Sequence, residues 1–469
     1  MSIAFIGLLF AALGVIAMLR SPTSSLFLLA VASLFQAASA LAIGPANVTP
    51  GHLVLGFFAL AVTIRPYGLS AALSAMYYPR AGFFLLMATM WGVFTALIMP
   101  RLFAHTVLVM PLATDAIVYK FQPLAPASTN INQAIYFIGN LVAFAFVTSL
   151  VRRPNQFRLA ARGLLLMCGV NVAIAIVDAL TYAAGIPQIL DFMRNADYSQ
   201  LIAANVAGMK RLTGSFPEAS SFAGWGVGLF AFALRLWRGG VFAPLSGYIA
   251  IAVLMAVILA FSSAGYVALG VYLIVVYSSN FVQASRALGQ VNRSQYRRYI
   301  LIAVGPVSAL FTAMVIAIRP DLLEPVTAVF DASITTKLTS DSGVERMAWN
   351  MGGIRNIIET YGLGVGLGSV RVSSFLVGLP ANVGIIGTIL FGLFFWRLFF
   401  GRTRQPELYT DDSADIRAAA RSGCFALLLA ASLSATSADL GLLFFMFAGL
   451  ACARFDRPPV FIQPENQPI

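Results

Sequence analysis

At 469 residues, 59% hydrophobic and only 10% charged, with a mean hydropathy of +0.85, the chain carries under half the ~25% charge usual in soluble domains. That excludes a soluble globular protein and indicates a polytopic membrane protein, whose backbone satisfies its own hydrogen bonds inside lipid as helices. The net charge of +12 would suit a nucleic-acid binder, but its spread over the loops makes it a topology signal instead.

Apolar runs approaching the ~20 residues needed to cross a hydrocarbon core predict about thirteen membrane helices. They fall at 2–19, 25–43, 52–64, 81–100, 130–150, 163–185, 221–235, 244–262, 264–282, 299–318, 375–400, 422–436 and 439–455. The first lacks a basic n-region and is expected to be retained. The third is short; it either continues through the amphipathic piece Arg65–Arg80 or lies buried against its neighbours. Alternating sides places about two thirds of the basic residues on one face, which the positive-inside rule makes cytoplasmic. The N-terminus is then outside and the C-terminus inside. Three substantial loops, 101–129, 186–220 and 319–374, share the outer side, within a single integral membrane domain. Cys168, Cys424 and Cys452 sit in apolar runs without metal-ligand spacing, as small hydrophobes do.

The polar chemistry collects in two of these loops. In the loop 186–220, Lys210 and Arg211 precede Gly214, and Glu218 stands just before Ser220, Ser221 and the next apolar run. An acid at the lip of a membrane helix is expensive unless paired or functional. Glu218 therefore reads both as a helix-start residue complementing the dipole and as a carboxylate suited to general-base work. The break Phe261–Tyr266, with Ser263, either lines the same cavity or packs helices with small residues. Asp178, inside the sixth apolar run, is a candidate for the cavity wall.

The loop 319–374 carries Ser342-x-x-Glu345, a capping box, opening a helix expected to reach about Tyr361 and to stop at Gly362. Arg346, Trp349 or Asn350, Gly353 and Ile357 share one face of it, so the helix reads as amphipathic and lying across the outer membrane surface. Arg346 is then a phosphate ligand or an interfacial arginine meeting headgroups. The run Gly362, Gly364, Gly366, Gly368 either brings backbone N–H groups close to an anion or makes a tight re-entrant turn leading Arg371 back to the membrane. The outer loops show no compact acidic cluster for a divalent metal, and no cofactor is expected. His52 and His105 lie outside the motif-bearing loops.

The runs SGVERMAW (Ser342–Trp349), GLGVGLGS (Gly362–Ser369), NVGIIG (Asn382–Gly387) and RLTGSFPEASSFA (Arg211–Ala223), with the break SSAGY, resemble the O-antigen polymerase and O-antigen ligase superfamily. The likeness is greatest to its exopolysaccharide and capsule repeat-unit polymerases. It implies a GT-C-like, metal-independent, inverting glycosyltransferase of the bacterial inner membrane, acting at its outer face. Donor and acceptor would be undecaprenyl-diphosphate-linked oligosaccharides, with membrane lipids around the protein, a chain-length regulator and export proteins as partners, and no nucleic acid. Carried onto this chain, Arg211 and Arg346 would hold the donor diphosphate, with Arg355 and Arg371 as helpers. Glu218 would accept the acceptor hydroxyl's proton, and Lys210, Gly214, Ser221, Ser263, Gly364 and Gly366 would line the cavity. Ligases of the superfamily are expected to use a loop histidine, which the loop 319–374 lacks; a ligase is the alternative reading, and a lipid-linked oligosaccharide flippase the third.

Overall fold

The computed structural model describes residues 2–43, 46–112, 120–196, 200–206, 209–286, 296–297, 299–305, 341–401 and 411–455. Most of the expected helix 299–318 and the loop residues 319–340 lie outside these. The described residues are mostly helical, as expected of a polytopic membrane protein. The helices are α1 (Phe5–Arg20), α2 (Pro22–Ala32), α3 (Pro50–Thr63), α4 (Gly68–Ser74), α5 (Ala81–Leu102), α6 (Ser128–Leu150), α7 (Pro154–Ala183), α8 (Ala219–Gly239), α9 (Leu245–Leu259), α10 (Ser263–Arg286), α11 (Asp341–Glu359), α12 (Phe375–Phe400), α13 (Asp411–Ser434) and α14 (Gly441–Ala451). Strands are two or three residues long and confined to the loops, as in the antiparallel set Ser2–Ile3, Leu41–Ile43 and Ala46–Val48.

Seven of these helices (α5, α6, α7, α8, α10, α12 and α13) are long and apolar enough to cross a membrane. Four others, α1, α2, α9 and α14, are apolar but run only 11 to 16 residues. At 1.5 Å per residue they fall short of a ~30 Å core unless their flanks complete the crossing. The expected continuation of the third helix through Arg65–Arg80 is not adopted. The chain turns at Tyr67, in the left-handed region with φ 63°, and α3 and α4 meet at 109°.

Helix α8 is the axis of the bundle, buried on nearly all sides. Small residues make this possible: a Cβ on Gly226 would lie 2.5 Å from Val257, and one on Gly228 the same distance from Leu427. Glycine thus lets α9 and α13 close on α8 from two sides. The stack of Phe232 on Phe447, 4.7 Å between centroids, joins α14 to the same core.

The loops gather at the two ends of this bundle. At one end Ala37 N–H donates to Ser215 O (3.0 Å), Tyr136 Oη to Asn47 O (2.8 Å), Arg371 N–H to Met110 O (2.8 Å) and Val372 N–H to Thr436 O (3.3 Å). All three loops that alternation puts on the outer side therefore meet there. A small separate core of Val107, Val109, Leu124, Val365, Val370, Val372 and Ala381 ties the first to the third. The other end holds Arg158 paired with Asp412, Arg235 paired with Asp415 at 2.8 Å, and Arg421 donating to Gly401 O at 2.8 Å.

Candidate functional site

The loop after α7 is fixed before it can hold anything. Asp178, one turn before the end of α7, is fully buried, and two cations close on it: Arg194 at 2.6 Å and Lys210. Its second oxygen accepts from Thr213 N–H (3.2 Å), Thr213 Oγ1 (3.2 Å) and Gly214 N–H (3.1 Å). Arg194 also donates to Gly214 O at 2.6 Å, and the Lys210 ammonium lies 4.8 Å from the Tyr182 ring centroid. Gly214 holds φ +55° because both its N–H and its carbonyl are fixed by this cluster. An ion group this buried is tolerable only because its donors and acceptors are matched. Lys210, Gly214 and Asp178 thus form an anchor sealed beneath the loop.

One residue beyond Lys210 the environment changes. The Nε of Arg211 donates to Ala260 O at 3.2 Å, and its two terminal nitrogens make no hydrogen bond among the described residues. Glu218 and Arg346 lie within electrostatic reach. Burial holds the Arg211 guanidinium below the ordinary arginine range; the Glu218 carboxylate pulls it back up and Arg346 pushes it further down. Arg346, half-buried on α11, makes no hydrogen bond or ion pair among the described residues. Glu218 starts α8 with extended backbone, yet its carboxylate accepts no capping N–H. It accepts instead from Ser220 Oγ and, at 3.4 Å, from Ser221 Oγ. The break between α9 and α10 borders Arg211: Ala260 supplies the carbonyl above, and Tyr266 lies in electrostatic reach. Ser263 is half-buried beside Ser262, whose Oγ accepts Gly265 N–H at 3.3 Å.

Helix α11 turns Trp349, Gly352, Gly353 and Asn356 inward and leaves Val344, Met347, Met351, Ile358 and Tyr361 exposed. The Arg371 guanidinium lies 4.7 Å over the Trp349 ring, one turn from Arg346. Arg355 is nine residues from Arg346, half a revolution round the helix, and its side chain is 71% exposed and paired with Glu359 at 3.3 Å. The structure brings Arg211, Glu218 and Arg346 together, with Arg371 flanking, and leaves Arg355 outside. The side chain of Ser342, the expected cap, lies outside the described residues.

The glycine run proves to be a docking device. Gly362, Gly364, Gly366 and Gly368 all have positive φ, between 78° and 101°. They fit against a break in α12 at Gly384 (φ 69°, ψ −176°). The interrupted helix leaves carbonyls to satisfy, and Val365 N–H takes Ala381 O (2.9 Å), Gly366 N–H takes Asn382 O (3.0 Å) and Trp91 Nε1 takes Val383 O (2.8 Å). Gly364 N–H goes to Thr360 Oγ1 and Gly368 N–H to Asn382 Oδ1. These N–H groups are spent on protein, so the re-entrant turn, rather than the anion cradle, is the form adopted.

Sequence reasoning missed Arg194, which lies in an irregular loop with no periodicity to flag it. It also passed over Asp439, whose carboxylate accepts from Asn140 Nδ2 (2.7 Å) and Gly441 N–H (2.8 Å) between α13 and α14. A lone acid between two apolar runs was the available signal. Among the described residues no group of three or more His, Cys, Asp or Glu could hold a metal ion. Neither a protein-family model nor a curated protein sequence matches the chain.

Proposed function

We propose that the protein is a membrane-embedded glycosyltransferase that polymerises polyprenyl-diphosphate-linked oligosaccharide repeat units by inverting, metal-independent transfer at the outer face of a bacterial inner membrane. In this reading the chain is GT-C-like, crosses about thirteen times and keeps its N-terminus outside and its C-terminus in the cytoplasm. The observation that carries it is the Arg211–Glu218–Arg346 group. Two guanidinium groups, with terminal nitrogens uncommitted among the described residues, lie within electrostatic reach of each other, and one of them within reach of a carboxylate aimed by two serine hydroxyls, at the end of the bundle where the loops meet.

Arginine offers permanently charged, bidentate donors to phosphate. Arg211 and Arg346 hold the donor diphosphate, and Arg371 adds charge from over the Trp349 ring. Glu218 takes the proton from the acceptor hydroxyl as its oxygen attacks the anomeric carbon. The bond from that carbon to the diphosphate oxygen breaks on the opposite face, and polyprenyl diphosphate leaves with its charge held by the two arginines. The exposed apolar stripe of α11 lies in the lipid interface and keeps Arg346 at headgroup depth.

The test uses the purified protein in nanodiscs with one synthetic polyprenyl-diphosphate oligosaccharide and a chelator, products being sized by mass. A ladder of repeat-unit multiples is expected. Transfer only after a lipid A core or protein acceptor is added would make the protein a ligase. No glycosyl transfer to any acceptor would refute the reading.

A further inference from the structure

Glu218, Ser221 and Trp225 fall at i, i+3 and i+7 on α8 and so share one face. That face runs from the candidate base into the bundle for two turns, ~10 Å. At its lower end a Cβ on Gly441 would lie 3.1 Å from the Trp225 indole, so the start of α14 packs against that ring. Two residues before Gly441 is Asp439.

Asp439 lies one residue before Leu440, the N-cap of α14, and Gly441 N–H at the helix start donates to its Oδ1. Asn140 Nδ2 donates to the same oxygen at 2.7 Å, and Ser437 Oγ accepts the Asp439 N–H at 3.3 Å. Capping therefore uses one carboxylate oxygen. The other, Oδ2, accepts no hydrogen bond among the described residues, and the residue is only partly covered. A carboxyl oxygen left without a donor among the described residues is costly unless water or a ligand hydroxyl reaches it. A capping role alone would also be met by Asn or Ser, without a charge.

The walls beside Asp439 are aromatic and rigid. Trp225 is half-buried and held edge-on by Phe216, 5.4 Å between centroids. Tyr136, one turn from Asn140 on α6, is stacked on His52 at 4.5 Å, and its hydroxyl donates to Asn47 O at 2.8 Å. Hydroxyl-bearing residues, Ser432, Ser434, Thr436 and Ser437, lead along the chain to Asp439, all partly covered. Fixed aromatic faces with one charged acceptor between them are what a ring of hydroxyls and C–H edges requires: apolar stacking for the ring, a charge-assisted hydrogen bond for its hydroxyls.

We infer that Asp439, walled by Trp225 and Tyr136, is the floor of a subsite for the acceptor glycan, with Asp439 Oδ2 accepting from a sugar hydroxyl. The inference rests on the glycosyl-transfer reading above. It places the acceptor along α8, with its attacking hydroxyl at Glu218 and an inner sugar at Asp439. Asp439 is a positioning residue and takes no proton in the reaction.

Asp439→Asn separates this role from capping, since the amide oxygen still accepts Gly441 N–H while the second position becomes a donor. Steady-state transfer is measured in nanodiscs with the lipid-linked oligosaccharide pool of the strain that supplies the gene as donor and, varied separately, the repeat unit released from that pool by mild acid as acceptor. The expected result is an acceptor KM raised roughly 10- to 100-fold, the loss of one charge-assisted hydrogen bond, with donor KM and Tm unchanged. An unaltered acceptor KM, or donor and acceptor KM raised together, would overturn it. Should the wild-type protein transfer nothing, the glycosyl-transfer reading falls separately, and the subsite is read by saturation-transfer NMR with the repeat unit released from that pool by mild acid. Binding by wild type that Asp439→Asn abolishes would support the subsite; no binding by wild type would end it.

Discussion

Lys210 points its ammonium into a sealed cluster with Asp178 and Arg194, whereas Arg211, one residue on, keeps both terminal guanidinium nitrogens uncommitted among the described residues, within electrostatic reach of Glu218 and Arg346. The two regions have the same kinds of residue and differ in completion. In the first, the side chains of Asp178, Arg194 and Lys210 are 0%, 2% and 8% exposed, and the acid's oxygens meet five donor groups. In the second, Arg211 lies within electrostatic reach of one carboxylate and a second cation, and among the described residues that carboxylate is engaged only by serine hydroxyls. A complete ion group holds shape, and in the function proposed here the incomplete one holds a place for an anion.

The comparison breaks first at Asp178. Replacing it by Ala leaves two buried cations without their counter-charge, at a cost of ~3–5 kcal/mol, much of a typical domain's stability. Little monodisperse protein should be recovered by size exclusion, and Asp178→Asn should fall between that and wild type. Glu218→Gln should do the reverse: Tm within a degree or two of wild type, and transfer reduced ~10²- to 10⁴-fold. Near-normal product length would leave Glu218 only its place at the start of α8. Gly364→Ala sharpens the boundary between scaffold and site. Its Cβ would lie 2.6 Å from Gly384 N at φ +79°, so a loss of ~1–3 kcal/mol is expected, read as a lower Tm with donor KM retained in the folded fraction.

Arg346→Lys keeps the charge and loses the bidentate fork. Donor KM should rise about tenfold with acceptor KM unmoved; equal effects on both would remove Arg346 from the diphosphate site. The smallest effect belongs to Arg355→Ala. Its exposed pair with Glu359 is worth under ~0.5 kcal/mol, and both KM values should stay at wild type. A donor defect there would show that the lipid-facing side of α11 takes part.

The membrane class and the gathering of the three long loops at one end were legible because hydropathy and the alternation of apolar runs are written locally; Arg211, Glu218 and Arg346 were singled out by helix starts and by the family resemblance, and the structure sets Glu218 and Arg346 within electrostatic reach of Arg211. The partners were not. Asp178 reads as a stray charge in an apolar run until Arg194, in an irregular loop, is folded onto it. The glycine run reads equally as anion cradle or turn, since what decides is the break at Gly384, outside the run itself. Arg355 and Arg346 look alike in sequence, and only the helix phase, fixed by burial of Trp349 and Asn356, sends them to opposite sides.

The match between the glycine run and the broken helix has a consequence for anyone comparing relatives of this chain. A Cβ on Gly364 would stand 2.6 Å from Gly384 N, and one on Gly384 would stand 2.4 Å from Leu363 O and 2.6 Å from Gly362 O, so neither glycine can gain a side chain unless the other segment retreats. The two would drift together or not at all. An alignment would show invariant alternating glycines beside an invariant distant one, the appearance of a nucleotide-loop signature produced entirely by two backbones pressed into one another.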